Sequence, residues 1–299
     1  YVKHTGLNDD LGVSVAEDNW AVSLVYLGYL IFAIPSTLLL RYVDTNIYFS
    51  VIMLAWGLIN VSMGFIKTVP QLLALRFLLG MTIAGFFPGM ITYLSQCYPV
   101  KQRTIRIAVF YAAGIISGAI GGILVSAQGQ LMSIPPYVCA CVFAIIGSFS
   151  ATSFNEHGYH VAFFIIIAGV SFALMAILDT VSPVAVYVSG CFACAGKYSA
   201  YALLIAWLAK NLSGRIRRSL AVAFTVGLGQ IGGAILPFIM NDKNEPNFRQ
   251  IYITSAVVMA VIMFPTLLLR FISTNREKST AINHTEVLEK ANSVHDAQI

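Results

Sequence analysis

The sequence is poor in charge. Only 10% of its 299 residues are Asp, Glu, Lys or Arg, against 58% hydrophobic residues and a mean hydropathy of +0.79. Soluble domains carry about 25% charged residues because their surface faces water, so this composition excludes an ordinary water-exposed surface. Histidine is also scarce at depth: His4, His157, His160, His284 and His295 all fall between or beyond the apolar runs. Without a His in an apolar run, serine-type hydrolysis inside a membrane is excluded. All 13 acidic residues read as loop, tail or run-edge positions, which excludes an intramembrane aspartyl protease. No H-E-x-x-H, G-x-S-x-G or phosphate loop is present, and no filter motif or charged ring suggests a pore. Cys139/Cys141 and Cys191/Cys194 lie within apolar runs, where small-residue helix packing explains them better than metal or redox chemistry. No secretory signal is visible, and a chain that starts at Tyr1 reads as a fragment.

What the chain has instead is long apolar runs. A hydrocarbon core about 30 Å thick needs roughly 20 apolar helical residues. Nine runs qualify: Trp20–Leu40, Phe49–Ile66, Pro70–Leu94, Ile107–Ala127, Ile134–Ala151, Val161–Leu178, Pro183–Leu208, Leu220–Met240 and Ile251–Phe271. The expected fold is therefore an all-α membrane protein. Glycine clusters such as Gly114/Gly118 and Gly227/Gly229/Gly232/Gly233 suggest close helix contacts.

The net charge of +5 sits in short basic clusters between runs, an orientation signal rather than a nucleic-acid patch. With the loops after the third, seventh and ninth runs inside, 12 basic residues lie inside and 4 outside, leaving Arg76 and Lys197 within helices. The N-terminus is then external and the C-terminus cytoplasmic. An odd number of spans is unusual for carriers built of paired repeats.

The segment Arg76-Phe-Leu-Leu-Gly80, followed by Ala84-Gly-Phe-Phe-Pro-Gly89 and Tyr93-Leu-Ser95, resembles the fourth helix of the major facilitator superfamily. More narrowly it resembles the anion:cation symporter family, in its fungal allantoate and nicotinic acid permease branch. Tyr29–Ser36, Ser133–Tyr137, Ala206–Asn211 with Arg217-Arg218-Ser219, and Glu245-Pro246 follow in family order. The resemblance implies a two-bundle fold in which the runs match family helices 2–5 and 8–12. Residues 1–127 would form an N-terminal bundle of four helices and 128–278 a C-terminal bundle of five. Residues 279–299 would be a disordered cytoplasmic tail. Family helices 1, 6 and 7 have no counterpart, so the chain looks truncated.

The resemblance implies a secondary active transporter for a small organic anion such as nicotinate or allantoate, working by alternating access in the plasma membrane. Its partners would be the lipid bilayer, the anion and protons; no cofactor, metal or nucleic acid is expected. The alternative is a truncated, non-transporting remnant or a substrate-sensing membrane protein. A charge at membrane depth is costly and commonly functional, so Arg76 and Lys197 are the lead substrate-binding candidates, neither with an acidic partner legible in the sequence. Structural roles remain open for both: a bond to neighbouring carbonyls for Arg76, snorkelling for Lys197. Tyr29, Tyr93, Tyr201 and Gln230 are candidates for hydrogen bonding to a carboxylate or stacking on a flat ring, with Tyr198, Asn60 and Gln96 behind them. The resemblance also implies a Glu in an E-A-G motif where this chain has Ile83, which removes the family's route to proton coupling.

Overall fold

The computed structural model describes residues 13–40, 42–125, 132, 134–212, 214–239 and 248–296. Arg41, most of the 128–134 connection and the Glu245-Pro246 segment lie outside the described residues. The helices are α1 (Val15–Leu39), α2 (Thr45–Met63), α3 (Val69–Ile83), α4 (Phe86–Cys97), α5 (Val100–Val125), α6 (Ile134–Ser153), α7 (Gly158–Leu178), α8 (Pro183–Asn211), α9 (Arg215–Ile239) and α10 (Phe248–Asp296). Among the described residues, nine spans are long and apolar enough to cross a membrane, α3 and α4 together making one of them, Val69–Cys97. The secondary structure of the described residues is all helical, and the chain is an integral membrane protein.

Several helix boundaries differ from the apolar runs, three of them for a clear local reason. Helix α1 starts five residues before Trp20 because Ser14 and Glu17 form a capping box. The Ser14 N–H donates to Glu17 Oε2 at 2.8 Å, and the Glu17 N–H donates to Ser14 Oγ at 3.3 Å. That draws Asp18 into the first helical turn. The run Pro70–Leu94 breaks at Ala84-Gly85, where Pro88 has no N–H to donate to the Ala84 carbonyl. A side chain at Gly85 would run into Tyr48 Oη and Ser36 Oγ, which share a 2.8 Å hydrogen bond across α1 and α2. Within the expected disordered tail, residues 279–299, the last helix continues to Asp296. The segment holds no Pro or Gly and is well supplied with Glu, Lys, Ala and Leu, which favour helix.

Helix α8 is the centre of the bundle, packing against α4, α5, α6, α7 and α9. Its buried face is mostly small: Ala193, Ala195, Gly196, Ser199, Ala200, Ala202 and Ala206. A Cβ on Gly196 would come within 2.7 Å of the Ala168 nitrogen and 2.8 Å of the Phe164 carbonyl, so α7 and α8 touch backbone to backbone. Gly28 and Gly80 do the same for α1 and α3: a Gly28 Cβ would lie 2.5 Å from the Phe77 carbonyl, and one on Gly80 would collide with Val25. Of the glycine clusters, Gly118, Gly227 and Gly233 meet neighbouring side chains, whereas Gly114, Gly229 and Gly232 face open space. Helices α2 and α10 bury little and expose Leu54, Leu58, Val257 and Phe264, as lipid-facing helices do.

Helices α1–α5 meet α6–α10 mainly along two seams, α1 with α9 and α5 with α6. On the first seam, Ser23 Oγ donates to the Ala234 carbonyl at 2.7 Å and Trp20 meets Phe238 edge-on at 5.2 Å. On the second, Cys141 Sγ reaches the Ala112 carbonyl at 3.5 Å. The end of the second seam carries most of the polar bonding. There α6 stops in a Schellman-type turn, with Asn155 at φ +55° and the Glu156 N–H on the Ala151 carbonyl at 3.0 Å. This turn presents Glu156 to Arg270 at 2.5 Å, Asn155 to Lys210 at 2.8 Å, and His157 to Thr104 of α5 at 2.9 Å.

Gly80→Leu should cost at least about 3 kcal/mol, because backbone rather than a movable side chain stands in the way. Purified in detergent, it should melt well below the parent, while Gly57→Leu, with nothing within 4 Å, should not. His157 supplies a second test. Burial, then the Lys210 and His160 charges, push its ring down to about 4. The ring stays neutral in the folded protein while an unfolded chain would take up the proton near the usual value of about 6.5. Its favourable contribution is complete above that value and drains away as pH falls toward 4. Thermal melts should therefore drop over this window, and His157→Gln should flatten that part of the profile; an unchanged profile would remove His157 from the account.

Candidate functional site

Four helices bring rings together at the middle of the bundle. Tyr111 of α5 lies 5.2 Å from Tyr201 and 6.3 Å from Tyr198, both of α8. Phe87 of α4 lies 6.1 Å from Tyr111 and 6.4 Å from Tyr201. Tyr137 of α6 closes the row, 6.3 Å from Tyr198. Because Tyr198 and Tyr201 are three residues apart, they project from one face of α8. Pro88 and the break before α4 put Phe87 on the near side. The result is a wall of π faces with phenol hydroxyls along it, able to stack on a flat ring or to donate hydrogen bonds to a carboxylate.

Lys197 stands at this wall. It occupies the middle of α8, its side chain is exposed, and its Nζ lies 4.7 Å from the Tyr198 ring centroid. Among the described residues no carboxylate pairs with it. A cation–π contact of this kind is worth about 0.5–2 kcal/mol, less than a well-placed carboxylate gives, so the ammonium keeps most of its attraction for an anion.

Tyr29 of α1 lies in the core cluster beside the wall, with Ala33, Ala84, Ile91, Ile205 and Val226, and Tyr201 packs against the same cluster. Tyr29 is 8% exposed and its hydroxyl has no hydrogen-bond partner. The Ser199 hydroxyl, on α8 between Tyr198 and Tyr201, is likewise buried and unsatisfied. A buried donor without a partner costs about 1–3 kcal/mol, which a bound polar molecule would recover. Gln230 is half-buried one turn beyond Val226, on the same face of α9.

Two of the expected site residues lie apart from this wall. Tyr93 faces α2, 6.4 Å from Phe49, and is 38% exposed. Arg76 is half-buried on α3, and its Nε has no hydrogen-bond partner. Ile83 packs against the Tyr29 cluster, so a Glu there would enter an apolar core. The sequence reading missed Tyr111 and Tyr137. Tyr111 is the one phenol in its apolar run, Ile107–Ala127, which is the signal that could have marked it.

The sequence profile of the Major Facilitator Superfamily matches residues 3–157. A protein from Agrobacterium vitis named for tartrate transport is 38% identical over 115 residues, 38% of this chain and 27% of that protein. NicT of Pseudomonas putida, named as a metabolite transport protein, is 39% identical over 114 residues, 38% of this chain and 26% of that protein. A quinolone resistance transporter of Acinetobacter baumannii is 35% identical over 130 residues, 42% of this chain and 30% of that protein. The chain spans about a quarter of the length of the curated relatives it matches.

Proposed function

The chain belongs to the Major Facilitator Superfamily, and from that premise we propose that it is a secondary carrier for a small organic anion. The superfamily consists of carriers rather than enzymes. The observation that carries the substrate class is Lys197: an exposed cation at mid-span, laid on the tyrosine wall, with no carboxylate beside it among the described residues. A charge at that depth needs water or an anion, and the wall suits a planar carboxylate such as nicotinate or one rich in hydrogen-bonding groups, such as the ureide allantoate or the hydroxy acid tartrate. The name of the Agrobacterium relative supports an organic acid.

In this reading residues 1–127 and 128–278 are the two bundles, and they rock about the α1/α9 and α5/α6 seams. The wall draws on helices from both, so rocking would expose it to each side in turn. The basic loops put the N-terminus outside and the C-terminus in the cytoplasm, with the plasma membrane as the site of action. Lys197 would hold the carboxylate, Tyr201 and Tyr29 would donate hydrogen bonds, and Gln230 would line the α9 side.

The test is uptake of labelled nicotinate and tartrate into proteoliposomes, with and without an inward proton gradient. Uptake should saturate, and Lys197→Gln should weaken it at least tenfold. Nicotinamide, which has the ring without the charge, should compete poorly and equally against both forms. Equal losses for acid and amide would remove Lys197 from the site, and no uptake under either condition would favour the non-transporting reading.

A further inference from the structure

Helices α6 and α7 both pack along α8 but hardly along each other. The gap between them is a cavity of about 360 Å³, within the range of small-molecule sites. Its walls are mostly apolar: Phe143 and Ile146 come from α6, Phe163 and Phe164 from α7. Phe164 is seated on Gly147, where a Cβ would lie 2.5 Å from its ring, and it rests with Phe143 on the core cluster around Leu203. Ile146 and Phe163 form the rim, 61% and 57% exposed, so the cavity opens toward lipid. One end of it is polar. Ser150 and His160 share a 2.9 Å hydrogen bond in the wall. They sit close to the end of α6 at Ser153 and the start of α7 at Gly158, where hydrocarbon gives way to headgroups. Phe143 lies two turns deeper, roughly 10 Å along the helix. No Lys, Arg, Asp or Glu is among the described residues lining the cavity. Arg270, over the Tyr159 ring at 5.1 Å, is already bound by Glu156.

The geometry points to a sterol site: a rigid apolar body seated between Phe143, Ile146, Phe163 and Phe164, with its single hydroxyl on Ser150. A phosphate headgroup would want a cation, and these walls supply none. A flexible acyl chain loses rotamer freedom in a fixed slot, whereas a fused-ring body has little to lose. The Ser150–His160 pair suits a hydroxyl in particular. If Ser150 donates to the ring, its oxygen keeps lone pairs for the ligand; if the ring donates, Ser150 keeps its proton. A hydroxyl can answer either. The cavity shares no residue with the tyrosine wall, so the inference stands apart from the carrier reading.

The test uses the purified full chain in phosphatidylcholine nanodiscs, with a photoreactive cholesterol analogue as the probe. The label should map to residues 143–164 and be displaced by cholesterol but not by added phosphatidylglycerol. Ile146→Trp, which fills the slot from an exposed position, should weaken cholesterol by about tenfold or more. Ser150→Ala should weaken it about fivefold, the scale of one neutral hydrogen bond. Cholestane, the same ring system without the hydroxyl, should bind the parent more weakly than cholesterol and bind Ser150→Ala as well as it binds the parent. Labelling elsewhere, or labelling untouched by Ile146→Trp, would overturn the inference. Cholestane equal to cholesterol on the parent, or displacement by phosphatidylglycerol as ready as by cholesterol, would reduce the cavity to a groove for ordinary bilayer lipid and overturn it too.

Discussion

Within a bilayer the lipid tails are as apolar as leucine, so helices gain little from hiding side chains against one another. Close packing of backbones takes over, and here it is concentrated at few points: Gly196 against Ala168 and Phe164, and Gly28 with Gly80 at the crossing of α1 and α3. These contacts make α8 central and bring α1 against α3. The tyrosine wall is built on this same central helix, which supplies Tyr198 and Tyr201 to meet Tyr111 and Tyr137.

Charge is then distributed by how well each site satisfies it. At the end of the bundle where α6 turns into α7, Glu156–Arg270 and Lys210–Asn155 are closed contacts, and His157 is held neutral beside Thr104. At mid-depth Lys197 rests on a ring, and on α3 the half-buried Arg76 has an Nε without a hydrogen-bond partner. Structural charges are paired and the two within the membrane are left partly unmet. Unmet charge inside a low-dielectric medium is costly, so it marks where a ligand would be received.

Much of the architecture was legible without coordinates. The spans follow from apolar length alone, and the motif from Arg76 to Ser95 pointed to the superfamily that the profile match then established. The break at Ala84-Gly85 was implicit in Pro88, and the early start of α1 in the Ser14-x-x-Glu17 box. The site was only half legible. Lys197, Tyr29 and Tyr201 could be picked as polar residues in apolar runs, but the same rule picked Tyr93, which faces α2. It also picked both Arg76 and Lys197, of which only Lys197 lies at the tyrosine wall.

The sequence by itself determined what this protein is made of: apolar helices of membrane-spanning length, charges expelled to their ends, and two cations kept within. Those are properties of composition and spacing, set by the cost of moving charge and unpaired backbone into hydrocarbon. Which cation meets which group was decided only by the tertiary structure. Helical periodicity says which face a residue occupies, but the partner of that face depends on which helices cross and at what depth. Here those crossings are set by a few glycines whose missing side chains let the backbones meet.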